Sequence, residues 1–241
     1  MPKPYVIPVQ RADVPISNRK LFKKLRYIPV DLFTQYITAI NGGKLFSLEK
    51  IDNDFGEPYL AEKVGLLGHE KSEPYSVGLF SFHENCGLYF ITGYSDDDAL
   101  SYIKQLVKLL GYTGIGGKVS AGYGKFTVED EICIDSHNDG QTEVLRELLN
   151  KTGKFMTLTA TLPKDNELDR AMFGCTYNLI RRGGFIQSDE YELPLKKLTQ
   201  YFFAAGSVFT NRFEGDVYNV ANGDHHPVYR YAKPLFIGVD V

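Results

Sequence analysis

The chain has 241 residues, enough for one large or two small domains with a core of ordinary size. Its formal net charge of −3 excludes a uniformly basic coat for nucleic acid but is compatible with a local basic groove. Three widely separated cysteines fit neither a disulfide framework nor a zinc site, and no signal peptide or long apolar segment is present, so we expect a soluble, cytoplasmic protein without membrane contact.

The N-terminal part begins with an extended, proline-rich segment. Met1 to Pro8 contains three prolines, which predicts a connector rather than a strand. From Lys3 to Tyr27 basic residues dominate, with Asp13 as the single acid. This run predicts either an RNA-facing or acidic-partner surface or an ordinary solvated surface. Pro29 predicts the first turn of a helix that ends at Ile40.

Leu45 to Tyr75 is irregular and interrupted by glycines and prolines, which indicates an excursion from a sheet, such as a hairpin. The alternation from Tyr75 to Tyr94 then predicts either two strands, Val77–Phe82 and Gly87–Thr92, with residues 83–86 as the turn between them, or one long bent strand.

A glycine-rich run, Gly114 to Phe126, separates a helix from a strand. The helix is predicted from Ser95 to Leu110, with a capping box to Asp98 and Gly111 as its C-terminal cap. The strand is predicted from Phe126 to Ile134. The order is therefore helix, glycine loop, strand.

The glycine run matches neither of two familiar phosphate loops. A Walker loop needs Gly-Lys followed by Ser or Thr, but Val119 follows Lys118, and this same Val119 stands where a dinucleotide fingerprint has its third glycine. The run still offers backbone N–H groups beside Lys118, Lys125, the Ser120 hydroxyl and the Tyr123 ring, which predicts a phosphodiester ligand. A ligand-free connection between helix and strand is the alternative.

The second half of the chain alternates helices and strands after a polar break at residues 135–140, which predicts a small α+β sandwich. The predicted elements are a helix at 142–150, a strand at 154–162, a helix at 165–173, a strand at 176–182, and strand-like segments at 200–209 and 227–241. A second basic, glycine-bearing loop follows at Arg181-Arg182-Gly183-Gly184.

No catalytic or metal-binding constellation is evident. His225 and His226 are adjacent, so on a strand they point to opposite faces, and no third ligand lies at a usual spacing. The run Asp96–Asp98 opens a helix, where capping explains the carboxylates better than metal binding does. The remaining histidines fall in predicted turns: His69, His83 and His137.

The glycine run resembles the glycine-rich loop of the RAMP superfamily of CRISPR-associated proteins, which lies between the second helix and fourth strand of a ferredoxin-like unit. Phe203–Phe209 and His226–Phe236 narrow the resemblance to the fourth subunit of the type III-A, or Csm, interference complex. The resemblance covers most of the chain.

The resemblance implies an α+β fold of two ferredoxin-like, RRM-related domains, at 1–140 and 141–241, with the 45–75 excursion as a thumb. It implies a non-catalytic antiviral role without a cofactor, in which the protein holds the 5′ handle of the guide RNA (crRNA). The implied protein partners are the large polymerase-like subunit and the backbone RAMP subunits. The implied RNA-binding residues are Gly114, Gly116, Gly117, Lys118, Ser120, Gly122, Tyr123, Gly124, Lys125, Arg181, Arg182, Arg230 and Lys233; Arg230 and Lys233 are equally open to a structural role.

The chain departs from the family pattern at its start. Family members begin with a strand, a helix and another strand before the connector, and this chain begins at the connector. Without these elements the Tyr75–Thr92 strands would expose a pairing edge.

Two alternatives to an RNA-binding subunit stay open. A RAMP endoribonuclease that processes repeat RNA without metal would need a general acid or base, for which His83 and His137 are the nearest candidates. A scaffold that binds only proteins is the other alternative.

Overall fold

The structure is a computed structural model, and it describes residues 1–6, 22, 24–42, 46, 47, 51, 54–67, 71–186, 188, 190, 195–223 and 226–241. Most of the predicted basic run, His69 and His225 lie outside the described residues.

Two compact units make up the chain. We call Met1–Ile51 together with Cys133–Val241 the terminal unit, and Asp52–Ile132 the central unit. The terminal unit thus combines both ends of the sequence. The predicted division into domains 1–140 and 141–241 stays a prediction.

Helices against a small antiparallel sheet form the core of the terminal unit. Helices α1 (Val30–Ile40) and α3 (Gly140–Asn150) lie close together, and α3 contacts strand β9 (Phe236–Val239). The sheet has the order β6-β3-β9, with β3 at Lys154–Thr157 and β6 at Val208–Phe209. Burial of α1's apolar face supplies most of this helix's stability; the buried side chains of the cluster include Phe33, Tyr36, Met156, Val208 and Ile237.

A second cluster of the terminal unit is aromatic. Phe203, Phe209, Phe213 and Phe236 meet edge to face, with ring centroids 5.1–5.9 Å apart. The terminal unit also contains a 3₁₀ turn at Asp165–Glu167, helix α4 (Leu168–Met172), the hairpin of β4 (Leu179–Arg182) with β5 (Gln200–Phe203), and the hairpin of β7 (Val217–Asn219) with β8 (Tyr229–Tyr231). The α+β sandwich predicted for the second half is confirmed, although the predicted strand 154–162 ends at Thr157.

A long hairpin opens the central unit. Strand β1 (Gly56–Leu67) pairs antiparallel with β2 (Lys71–Phe82), from Gly56 opposite Phe82 to Leu67 opposite Lys71. The hairpin predicted within the excursion is confirmed, and it extends beyond Tyr75. The predicted strand Val77–Phe82 is part of β2, which pairs with β1. The second predicted strand and the alternative of one long bent strand are wrong, because β2 ends at Phe82 and Gly87–Thr92 forms no strand.

Helix α2 runs from Asp97 to Thr113, later at both ends than predicted. Its N-cap is Asp96, whose carboxylate accepts a hydrogen bond from the Ala99 amide at 2.8 Å. Gly111 does not end the helix; it lies within it, where a Cβ would meet the Phe126 carbonyl oxygen at 2.5 Å. The predicted strand after the glycine run is also wrong, since residues 126–134 pair with no described strand.

The central unit leaves many apolar side chains in solvent. Leu88, Tyr89 and Phe90 are 72%, 71% and 63% exposed, as are Leu109 and Tyr112 of α2 at 61% and 78%. Among the described residues, no backbone–backbone hydrogen bond involves Gly87–Tyr94. This segment therefore gains little apolar burial and no ladder hydrogen bonds from the described chain.

Candidate functional site

The glycine-rich loop leaves α2 at Gly114 and has a closed neck. The Ile115 amide donates a hydrogen bond to the Gly124 carbonyl at 2.9 Å. A Cβ on Gly124 would lie 1.9 Å from the Ile115 oxygen, and one on Gly114 would lie 2.7 Å from the Tyr123 oxygen. Both glycines also have positive φ, so the neck itself requires glycine.

The glycines of the loop tip differ from those of the neck. Gly116, Gly117 and Gly122 have no heavy atom within 4 Å of a built Cβ, so the space around them is open. Gly116 and Gly122 need glycine for their φ of +93° and +86°, whereas Gly117 has no positive φ. Nothing in the described chain requires glycine at position 117. A ligand that approached the backbone closely would require glycine there.

Three successive amides at the tip are available to a ligand. The amides of Ala121 and Gly122 are engaged in the short turn Val119–Ala121. In contrast, the amides of Gly116, Gly117 and Lys118 have no acceptor among the described residues, and all three residues are exposed. Successive free N–H groups of this kind form an anion-binding concavity.

Lys118 is held in an unusual backbone conformation. Its φ of 60° and ψ of 29° lie in the left-handed region, which a residue with a Cβ seldom adopts. Its ammonium nitrogen lies 5.0 Å from the centroid of the Tyr75 ring on β2. The cation is therefore directed towards the hairpin.

A second contact joins the same two elements, but here the hairpin contributes the cation and the loop contributes the ring. Lys63 of β1 places its ammonium 5.2 Å from the centroid of the Tyr123 ring in the loop. A hydrogen bond with Tyr123 raises the pKa of Lys63, and Tyr75 and Tyr59 contribute to the same direction through charge. Lys63 therefore keeps its positive charge at neutral pH.

The remaining predicted loop residues, Ser120 and Lys125, are exposed at the same loop. The structure thus gathers the predicted loop residues into one site and adds Lys63, Tyr59 and Tyr75 from the hairpin. Sequence reasoning missed these three because the contacts join segments more than 40 residues apart. The irregular pattern interrupted by glycines and prolines indicates a hairpin but not which residues face it.

The other predicted basic residues belong to the terminal unit. Arg181 and Arg182 are exposed on β4, and Lys233 is exposed after β8. Arg230 donates hydrogen bonds to the carbonyls of Arg182 at 3.1 Å, Leu198 at 3.3 Å and Gly183 at 3.4 Å. Partial burial, and then the charge of Arg182, lowers its pKa. These contacts give Arg230 a structural role in joining two hairpins.

The histidines that could serve a nuclease each lie beside an exposed carboxylate. His83 lies 2.9 Å from an Asp54 carboxylate oxygen, and His137 lies 3.0 Å from an Asp139 oxygen. Within the described ranges, no group of three metal-ligating side chains occurs. No helix of the described chain is long and apolar enough to cross a membrane.

Comparisons with known proteins identify the family. A family model described as the CRISPR Csm4 C-terminal domain matches residues 150–239, and the RAMP superfamily model matches residues 10–127. A protein of Mycobacterium tuberculosis named CRISPR system Cms protein Csm4 is 32% identical over 231 residues, which cover 95% of this chain and 72% of that protein. The chain belongs to the Csm4 family.

Other Csm4 proteins agree with this assignment. The Streptococcus thermophilus Csm4 is 31% identical over 249 residues, covering all of this chain and 76% of the relative. The Methanocaldococcus jannaschii Csm4 is 26% identical, covering 89% and 56%. The resemblance inferred from the glycine run and the C-terminal stretches is therefore confirmed.

Solved Csm4 structures share the fold. A crystal structure of a Csm3–Csm4 subcomplex in the type III-A CRISPR-Cas interference complex matches with a TM-score of 0.52 and 20% identity, covering 93% of this chain and 71% of that one. A Csm1–Csm4 cassette in complex with cA4 matches with a TM-score of 0.53 and 19% identity, covering 93% and 66%. The predicted α+β, ferredoxin-like RAMP fold is confirmed.

Proposed function

We propose that this Csm4-family chain is a non-catalytic crRNA-binding and assembly subunit of a type III-A complex, and that its glycine-rich loop holds the 5′ handle of the guide. The main support is the loop tip, where Gly116, Gly117 and Lys118 are exposed and their amides find no acceptor in the part of the chain that the structure describes. RNA phosphates accept hydrogen bonds from such amides, and the flanking lysines add charge without sequence preference.

The proposed partners are a backbone RAMP subunit of the Csm3 type and a large subunit of the Csm1 type. Their support is the similarity of this chain to Csm4 proteins solved in a Csm3–Csm4 subcomplex and in a Csm1–Csm4 cassette. Arg181, Arg182 and Lys233 of the terminal unit are secondary candidates for RNA contact, because they are exposed cations. The cytoplasmic location stays a prediction.

The test is RNA affinity measured by filter binding with the partner subunits present. Replacing Lys118 and Tyr123 together by alanine should weaken retention of handle RNA while the thermal unfolding midpoint of the protein stays unchanged. Lys108→Ala removes an equally exposed cation from α2 outside the loop, and it should leave affinity unchanged. Equal affinity of the double variant and the wild type would contradict the proposal.

The same preparation separates the alternatives. Incubation with labelled repeat RNA in EDTA should give no discrete product. A product that disappears with His83→Ala or His137→Ala would instead establish a metal-independent nuclease. Binding of partner subunits without any RNA binding would establish a protein scaffold.

A further inference from the structure

The two lysine–tyrosine contacts form one four-residue cluster. Lys63 and Tyr75 are directly opposite each other in the β1–β2 register, so both side chains lie on the same face of the hairpin. Lys118 and Tyr123 face them from the glycine-rich loop. Each element thus contributes one cation and one ring, and each cation lies over the ring of the other element. We call these four residues the crossed cluster.

Within the described ranges, the cations of the crossed cluster have no anionic partner. No carboxylate among the described side chains lies within 4.0 Å of the Lys63 or Lys118 ammonium. An ammonium over an exposed ring is a weak contact compared with one that is desolvated. Tyr75 is 42% exposed, and Lys118 is exposed. A ligand that interacts more strongly with both the lysine ammonium groups and the tyrosine rings can therefore replace the two contacts.

A nucleotide with an unpaired base can interact with both the ring and the ammonium. Its base presents a π face that stacks on a tyrosine ring, and its phosphate presents the anion that the displaced ammonium lacks. Base-paired RNA presents phosphates alone, because its bases are already stacked. A protein carboxylate would attract the lysines but would leave both rings uncovered.

We propose that the crossed cluster is a binding site for two unpaired nucleotides, in which bases replace the lysine ammonium groups on Tyr75 and Tyr123 and the lysines move to the adjoining phosphates. This inference rests on the proposed RNA-binding function and adds hairpin residues to the site. Tyr59 lies four residues before Lys63 on β1, hence on the same face, and it is 47% exposed. It extends the stacking surface along the hairpin.

The first measurement is the affinity of the complex, assembled with its partner subunits, for single-stranded handle RNA. Tyr75→Ala should weaken binding by roughly 5- to 150-fold, the range for loss of one base–aromatic stack. Tyr75→Phe keeps the ring and should bind within about twofold of the wild type. Annealing a complementary strand to the RNA should remove the difference between Tyr75→Ala and the wild type.

The second measurement reports whether RNA bases replace the lysine ammonium groups on the tyrosine rings. In NMR spectra of ¹³C-methylated lysines, the Lys63 and Lys118 signals should be shifted by the tyrosine ring current in the free chain, with assignments from Lys63→Arg and Lys118→Arg. Handle RNA should move both signals towards the position of exposed lysines. Inorganic phosphate alone should leave them in place.

The outcomes separate this inference from the proposed function. If Tyr75→Ala binds RNA as the wild type does while the Lys118 and Tyr123 double variant does not, the loop binds RNA and the crossed cluster proposal is wrong. If neither variant changes affinity, both are wrong. If the lysine signals do not move in the RNA complex, the proposed replacement of ammonium groups by bases is wrong, even if Tyr75→Ala lowers the affinity for RNA.

Discussion

Gly117 and Gly124 lie in one loop but are glycine for different reasons. At Gly124 a Cβ would collide with the Ile115 carbonyl oxygen at 1.9 Å, and φ is +75°. At Gly117 the space is open and φ is not positive. The constraint at position 124 thus comes from the protein, whereas at position 117 the described chain imposes none.

We therefore expect Gly117→Ala to leave the thermal unfolding midpoint unchanged and to lower affinity for handle RNA, since a Cβ there would obstruct the approach of a phosphate to the amides. Gly124→Ala should instead disrupt the loop neck, and it should change both the stability of the central unit and RNA affinity. Thermal unfolding together with filter binding checks both expectations. Unchanged RNA affinity of Gly117→Ala would show that position 117 is not approached by the ligand.

Arg230 connects secondary-structure elements, because its guanidinium joins β8 to backbone carbonyls at the ends of β4 and β5. Three of these acceptors belong to Arg182, Gly183 and Leu198. Each carbonyl would lose a partner if the guanidinium were removed. The arginine suggested by resemblance as an RNA contact thus has a structural reason to be present.

Arg230→Ala should lower the free energy of unfolding of the terminal unit by about 0.5–1.5 kcal/mol, the net contribution of a typical hydrogen bond, because water can reach the exposed carbonyls. Arg181→Ala is the matched control, since Arg181 is exposed on β4 and makes no described ion pair, and it should leave stability unchanged. Urea unfolding of both variants measures the difference. Equal stability of Arg230→Ala and the wild type would refute the structural role.

Elements with local determinants were predictable from the sequence, and pairings between distant elements were not. Helix α1 was predicted to within a residue because Pro29 and an apolar stripe define it locally. Gly87–Thr92 has the alternation of a strand, but it pairs with no described strand, and the partner of Val77–Phe82 is β1. The glycine loop was recognisable from its composition, whereas the Tyr75 and Lys63 contacts depend on a register that no local pattern encodes.

The two units differ in how much apolar surface they bury. The terminal unit has two buried apolar clusters, whereas segment 87–94 of the central unit is exposed and makes no backbone–backbone hydrogen bonds among the described residues. Regions with few buried contacts and solvent-exposed amides open at low free energy. Segment 87–94 of the central unit therefore needs contacts from outside the described chain to become rigid.

Hydrogen exchange measured by mass spectrometry should show this contrast. Amides of residues 87–94 should exchange close to the rate of an unfolded chain, while those of β3 and β9 should be protected. Adding partner subunits should slow exchange in segment 87–94 if they cover it. Strong protection of this segment in the chain alone would contradict the expectation.

The open tip at Gly117 also bears on how this protein responds to laboratory evolution. A library screened only for heat tolerance would accept alanine at this position and would retain glycine at position 124. Under the proposed function, a library screened for binding of handle RNA would reject both changes. Engineering that optimises stability without a functional assay would thus discard a glycine that the described chain itself does not require.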